Sequence, residues 1–141
     1  MEQLLEGQKL VNHIVPASRS AGATNGTGID TNGVDAATFL VAVGAIGDTG
    51  ADTTIDCKVQ ESDALGSGYV DITDAAITQL ANTDDNALAS IGVRLGGRAN
   101  RKRYIRAVLT IAGSDAALVG VAVLLKAQQM PVTNTPASVL V

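Results

Sequence analysis

From Ala36 onward apolar residues recur at every second position, which is the period of a β-strand. Phe39, Val41 and Val43 share one face of such a strand, and Leu40 and Ala42 make the other face fairly apolar too. Thr53, Ile55, Cys57 and Val59 alternate with Thr54, Asp56, Lys58 and Gln60, predicting a strand buried on one side. Ile91, Val93 and Leu95 alternate with Gly92 and Arg94. Ile105, Ala107, Leu109 and Ile111 alternate with Tyr104, Arg106, Val108 and Thr110. Val119, Val121, Val123 and Leu125 alternate with Leu118, Gly120, Ala122 and Leu124. Tyr69 to Ile72 predicts a short strand, whereas Asp74 to Leu80 fits one or two helical turns with Asp74 as N-cap.

The breaks between these runs are rich in Gly, Asp and Ser: Gly47-Asp48-Thr49-Gly50, Asp63 to Gly68, Gly96-Gly97 and Ala112 to Asp115. About six to eight short strands with such turns predict an all-β protein, an antiparallel jelly roll or β-sandwich with extended termini. The intervals are too short for βαβ units. Upstream, Leu4 to Val15 reads as a short helix followed by a strand that stops at Pro16, and Ala17 to Gly33 reads as loop. Met130 to Val141, with Pro131 and Pro136, reads as an extended arm. The expected organisation is therefore an N-terminal segment over 1–33 that can act as an arm, a sandwich over 34–129, and a C-terminal arm over 130–141.

Composition narrows the classes. The 141 residues suffice for one domain with its own core. Phe39, Tyr69 and Tyr104 are the only aromatics, and 22 Ala and 15 Gly supply much of the apolar content. Such small side chains suit thin sheets and close backbone approach better than a deep pocket. The longest apolar run, Ala116 to Leu125, is far short of the roughly 20 residues of a membrane helix. The acidic start, Met1 to Glu6, lacks the apolar core of a signal peptide. Cys57 stands alone, which fits folding in a reducing cytoplasm.

Candidate chemistry is sparse. Asp48-Thr49-Gly50 is similar to the active-site loop of retroviral-type aspartic proteases, in which two copies of one Asp share a proton across a dimer axis. Gly96-Gly97-Arg98 is similar to a later glycine motif of that family. Gly47 stands where the pattern wants an apolar strand residue, and the same triplet makes a good tight turn between two strands. Asp30 to Asp35 resembles the opening of a calcium loop, but Val34, Asp35 and Val41 stand where a third oxygen ligand, the turning glycine and the closing glutamate belong. His13 is the sole histidine, so it has no second base and no multi-His metal site; a structural or surface role fits it. Cys57 falls on the apolar side of its strand, as an inert core thiol. No catalytic, cofactor-binding or metal-ligating residues are assigned.

The most uneven feature is charge. Arg94, Arg98, Arg101, Lys102, Arg103 and Arg106 place six of ten basic residues within thirteen positions that hold no acid. The net charge of −4 thus hides +6 in one window and −10 elsewhere. A polarised field of this kind orients docking on a partner of opposite charge, and arginine suits bidentate pairing with carboxylates. The alternative is a solvated loop whose charges pair within the chain. Nucleic acid is disfavoured by the acidic remainder and by Tyr104 being the only nearby stacking residue.

Asp30-Thr31-Asn32-Gly33-Val34-Asp35-Ala36-Ala37-Thr38-Phe39, Val59-Gln60-Glu61-Ser62-Asp63 and Arg103-Tyr104-Ile105-Arg106-Ala107-Val108 form an ordered series. Over roughly Ile29 to Lys126 it resembles the cement proteins of tailed bacteriophages, of the Bordetella phage type. The resemblance implies a jelly roll, made in the host bacterial cytoplasm, that sits as a homodimer on the outer capsid surface and bridges major capsid protein subunits. It implies no catalysis, cofactor, nucleic acid, membrane or small-molecule substrate. Arg94 to Arg106 and the two termini are then the expected contacts. A protease homodimer using Asp48 and a generic phage tail or adhesion sandwich are the alternatives.

Overall fold

The computed structural model describes residues 7–47, 49–96 and 100–127, and all regular structure among them is β. Ten strands follow one another: β1 (Gln8–Arg19), β2 (Gly22–Asn25), β3 (Ile29–Asp30), β4 (Val34–Ile46), β5 (Thr54–Ser62), β6 (Val70–Ala76), β7 (Leu80–Ala81), β8 (Leu88–Arg94), β9 (Tyr104–Ala112) and β10 (Ala117–Ala127). The first sheet has the order β1-β10-β4-β8. The second has β2-β9-β5-β6, with β3 also on β9 and β7 also on β5. Every pairing is antiparallel.

With β2/β3 and β6/β7 each taken as one interrupted strand, the pairing is nested. The first strand pairs with the last, β2/β3 with the penultimate, β4 with β8, and β5 with β6/β7. That is a long hairpin rolled into two facing sheets, the jelly roll expected from the sequence. The alternation dictates what lies between the sheets. Phe39, Val41 and Val43 from β4 meet Ile55, Cys57 and Val59 from β5, Ile105, Ala107 and Leu109 from β9, and Val119, Val121 and Val123 from β10, all buried.

Three expectations are corrected. Leu4 to Val15 is not helical over its described part: β1 runs through it and past Pro16 to Arg19, paired with β10. The register slips between Asn12 and Ile14 and again between Ile14 and Ala17, so the proline falls in a bulge of an edge strand, where its missing N–H costs no ladder bond. It packs on Gly120, where a Cβ would lie within 2.9 Å of the Pro16 backbone nitrogen. Ala17 to Gly33 is likewise not simply loop. It turns the corner between the sheets and supplies β2 and β3, so residues 8–30 belong to the sandwich rather than to an arm.

The helical reading of Asp74 to Leu80 fails for a related reason. β6 bulges between the pairs Gln60–Asp71 and Lys58–Ala76, Asp74 has φ of +63°, and Ile72 and Ala75 are both buried. A bulge thereby reproduces the three-residue spacing of a helix face. The expected C-terminal arm, 130–141, lies outside the described residues.

Candidate functional site

The basic window is divided by the fold. β8 belongs to the first sheet and β9 to the second, so the segment joining them crosses the open end of the sandwich. Arg94 points outward from the first sheet, Arg106 from the second, and Arg101, Lys102 and Arg103 lie on the crossing. Arg98 lies outside the described residues.

On the crossing, each described cation meets an acid. The Arg103 guanidinium grips Asp30 with two bonds, Nε to Oδ1 at 3.1 Å and Nη2 to Oδ2 at 2.9 Å. That guanidinium, with the Asn32 N–H, holds the Asp30 carboxyl below its ordinary range. Lys102 Nζ lies 3.5 Å from Asp63. Glu61 sits on the inward side of β5 and is only 7% exposed. Its Oε2 accepts the Lys102 backbone N–H at 3.1 Å and lies 3.5 Å from Arg101 Nη1. A carboxylate at the end of an apolar core needs these partners, since an unpaired buried charge is costly. The reading in which the charges pair within the chain therefore describes Arg101, Lys102 and Arg103, and no ion pair of Arg94 is found among the described residues.

Arg106 heads a second network on the outward face of the second sheet. Its Nε and Nη2 both donate to Gln60 Oε1, at 3.0 and 2.9 Å, and its guanidinium lies 4.0 Å from the centre of the Tyr69 ring. Gln60 in turn donates to Asp71, which also accepts from Lys58 Nζ at 2.8 Å. The Lys58 and Gln60 bonds keep the Asp71 carboxyl below its ordinary range. Gln60, Glu61, Asp30 and Tyr69 are thus partners that the linear pattern of the basic window does not reveal. Their own strands place them there.

Between the loops lies an open groove of about 540 Å³, lined by residues 31–34, Asp63, Leu95, Gly96 and Arg101 to Arg103. Asp30, first in the calcium-like stretch, is occupied by Arg103. No group of three metal-ligating side chains exists among the described residues. Asp48 lies outside the described residues. The segment around it links β4 in one sheet to β5 in the other instead of closing a hairpin within one sheet. Nearby, Gly50 N–H donates to Asp115, and Asp52 accepts from the Ser114 hydroxyl and N–H, which lowers its pKa.

His13 is structural. It stands in the first bulge of β1 with its ring edge against Phe39, the centroids 5.6 Å apart. Its Nε2 accepts the Ala107 N–H at 2.9 Å, taking the ladder position left open on β9 between β2 and β3. Gly26 makes room, since a Cβ there would lie 1.9 Å from Nε2. Burial lowers the His13 pKa from 6.5 to about 4. Cys57 is buried, and burial pushes its thiol up to about 12, leaving it unreactive.

No family model and no curated protein matches the chain. Among solved structures, the crystal structure of PBSX exported protein XepA is similar, with a TM-score of 0.61 at 16% sequence identity. The match covers 94% of this chain and 41% of that one, so the chain spans less than half the length of that protein. At this identity the likeness is one of fold: an antiparallel β-sandwich.

Proposed function

We propose that the chain is a structural protein of a phage particle that cements the capsid, binding the outer surface and bridging major capsid protein subunits as a homodimer. The observation that carries this reading is that the resembling stretch falls on the strands of a jelly roll. The stretch that resembles phage cement proteins, Ile29 to Lys126, covers β3 through β10 of a jelly roll, with each quoted motif at a strand end or along a strand. The fold neighbour, the PBSX exported protein XepA, shares the antiparallel sandwich that this reading calls for. A rigid sandwich suits this role, because stapling a shell takes many modest contacts acting together and no reaction site.

The open end of the sandwich is the proposed shell contact, through Arg94, Arg98, Arg101, Lys102, Arg103 and Arg106. The ion pairs to Asp30, Glu61 and Asp63 keep three of these heads beside the groove, Arg103 by two hydrogen bonds, which lowers the ordering cost of docking. The test is cosedimentation with empty shells of the parent phage. Wild-type protein should bind in a salt-sensitive manner, and K102Q/R103Q should bind several-fold more weakly while keeping its β circular-dichroism spectrum. Binding unchanged by either salt or the substitutions would remove the basic end as the contact.

A second reading, a phage tail or adhesion sandwich, is favoured by the neighbour being an exported protein. Cosedimentation with tails but not with heads would select it.

A further inference from the structure

In its middle rows the outward face of the first sheet is apolar apart from Asn12, Thr38 and Ser90, where a water-facing sheet normally alternates to polar residues. Of the six large hydrophobic side chains left exposed in the described residues, Leu10, Val15, Leu88 and Leu118 belong to its strands, with Leu88 70% and Leu10 63% exposed. Register aligns them with further apolar positions. Leu10 lies beside Leu124 of β10, and Leu88 beside Ala42 of β4. Leu40 stands between Ala122 and Ser90. No charged residue enters these rows. Leu118 leans across Gly44, where a Cβ would come within 2.9 Å of it, so the surface stays low and flat.

The two ends of this face differ in sign. Beyond Leu10 and Leu124 come Lys126 and Arg94, with Asp35 beside them. Beyond Leu88 and Leu118 come Asp84, Asp85 and Asp115, together with Arg19, whose guanidinium is engaged by the Val15 carbonyl at 2.6 Å and Thr24. We infer that this face is where two copies of the chain associate, sheet against sheet, about a two-fold axis that lies in the interface and runs across the strands. That operation sets each basic end against the partner's acidic end, Leu40 against its own copy, and Leu124 and Leu88 over the partner's glycines in β10 and β8.

Small residues at Ala42, Gly92 and Ala122 permit the roughly 10 Å approach of packed sheets. Four strands about 4.8 Å apart and seven residues rising about 3.3 Å each give a face roughly 20 Å square, enough to bury on the order of 1,000 Å² over both copies. That is the lower range for a specific interface, so the expected dimer is reversible. The inference rests on the dimeric reading proposed above and assigns its interface.

Sedimentation equilibrium of the full chain, without shells, tests it. Wild-type protein should dimerise in the micromolar range and more weakly at high salt. L10E/L88E should raise the dissociation constant at least about 30-fold, and K126E several-fold, with melting temperatures in dilute solution unchanged. Wild-type protein that stays monomeric at about 200 μM would overturn both the dimer and its interface. A dimer untouched by L10E/L88E would overturn the interface alone. If V139S/L140S/V141S instead tightened dimerisation strongly, the face would belong to the chain's own C-terminal segment and the inference would fall. Failure of the capsid reading leaves these outcomes unchanged, because no shell enters the measurement.

Discussion

The two outward faces of the sandwich belong to one jelly roll, yet they meet water differently. On the second sheet Lys58, Gln60, Asp71 and Arg106 bond to one another across three strands, and Gln79 donates to Asp56 at 2.9 Å. On the first, Leu10, Leu40, Leu88 and Leu124 face outward with no charge among them. The polar face is partnered within the chain, because Lys58, Gln60 and Arg106 each donate to an acceptor beside them. The apolar face gains free energy only by being covered, at about 25 cal/mol per Å² of apolar surface removed from water. Substitutions of exposed side chains on the first sheet's face should therefore appear in association, and those on the second sheet's face in folding stability.

Four perturbations break or sharpen that contrast. The largest concerns the joint that makes β1 part of the first sheet. Gly120→Val would drive a side chain into Pro16, and urea denaturation should show a loss of about 2–3 kcal/mol, as for other overpacked sites. Next is His13, neutral and accepting from Ala107 in the fold. Unfolded, it takes a proton below about pH 6.5; folded, only below about pH 4. Its contribution is complete above pH 6.5 and declines as the pH falls towards 4. The loss should reach about 2 kcal/mol after allowance for its partial exposure, and it should be largely absent in His13→Gln. On the polar face, Arg106→Ala removes both bonds to Gln60 and the stacking on Tyr69, and should cost about 1 kcal/mol in the same denaturation assay. The smallest is Leu88→Ser, expected within about 0.5 kcal/mol of wild type in dilute solution, with its effect confined to dimerisation.

Much of this fold was legible from alternation alone, because Phe39, Val41 and Val43, or Ile105 to Ile111, carry the period of two in large side chains. The strand order was not, since nothing near Gln8 in sequence says that its neighbour is Lys126. Where side chains are small the signal fades: β2, Gly-Ala-Thr-Asn, looks like loop until β9 offers it a ladder. At Asp74 the pattern misled, because a bulge puts Ile72 and Ala75 on one side. The basic window was visible as a count of charges. Its division between two sheets, and its neutralisation by Asp30, Glu61 and Asp63, depend on contacts up to 73 positions apart in sequence. The apolar outward face did leave a trace: Leu40 and Ala42, Leu118 and Leu124 occupy the side of their strands where polar residues are the rule.

The contrast between the faces is open to one direct measurement. Carbene footprinting of the full chain, compared between dilute and concentrated solution, reports which side chains lose contact with water. If the first sheet's face is the one that is covered, Leu10, Leu88 and Leu118 become protected on concentration, whereas Lys58, Asp71 and Tyr69 keep their labelling. Labelling of the three leucines that stays constant, or protection that falls equally on both faces, would contradict it.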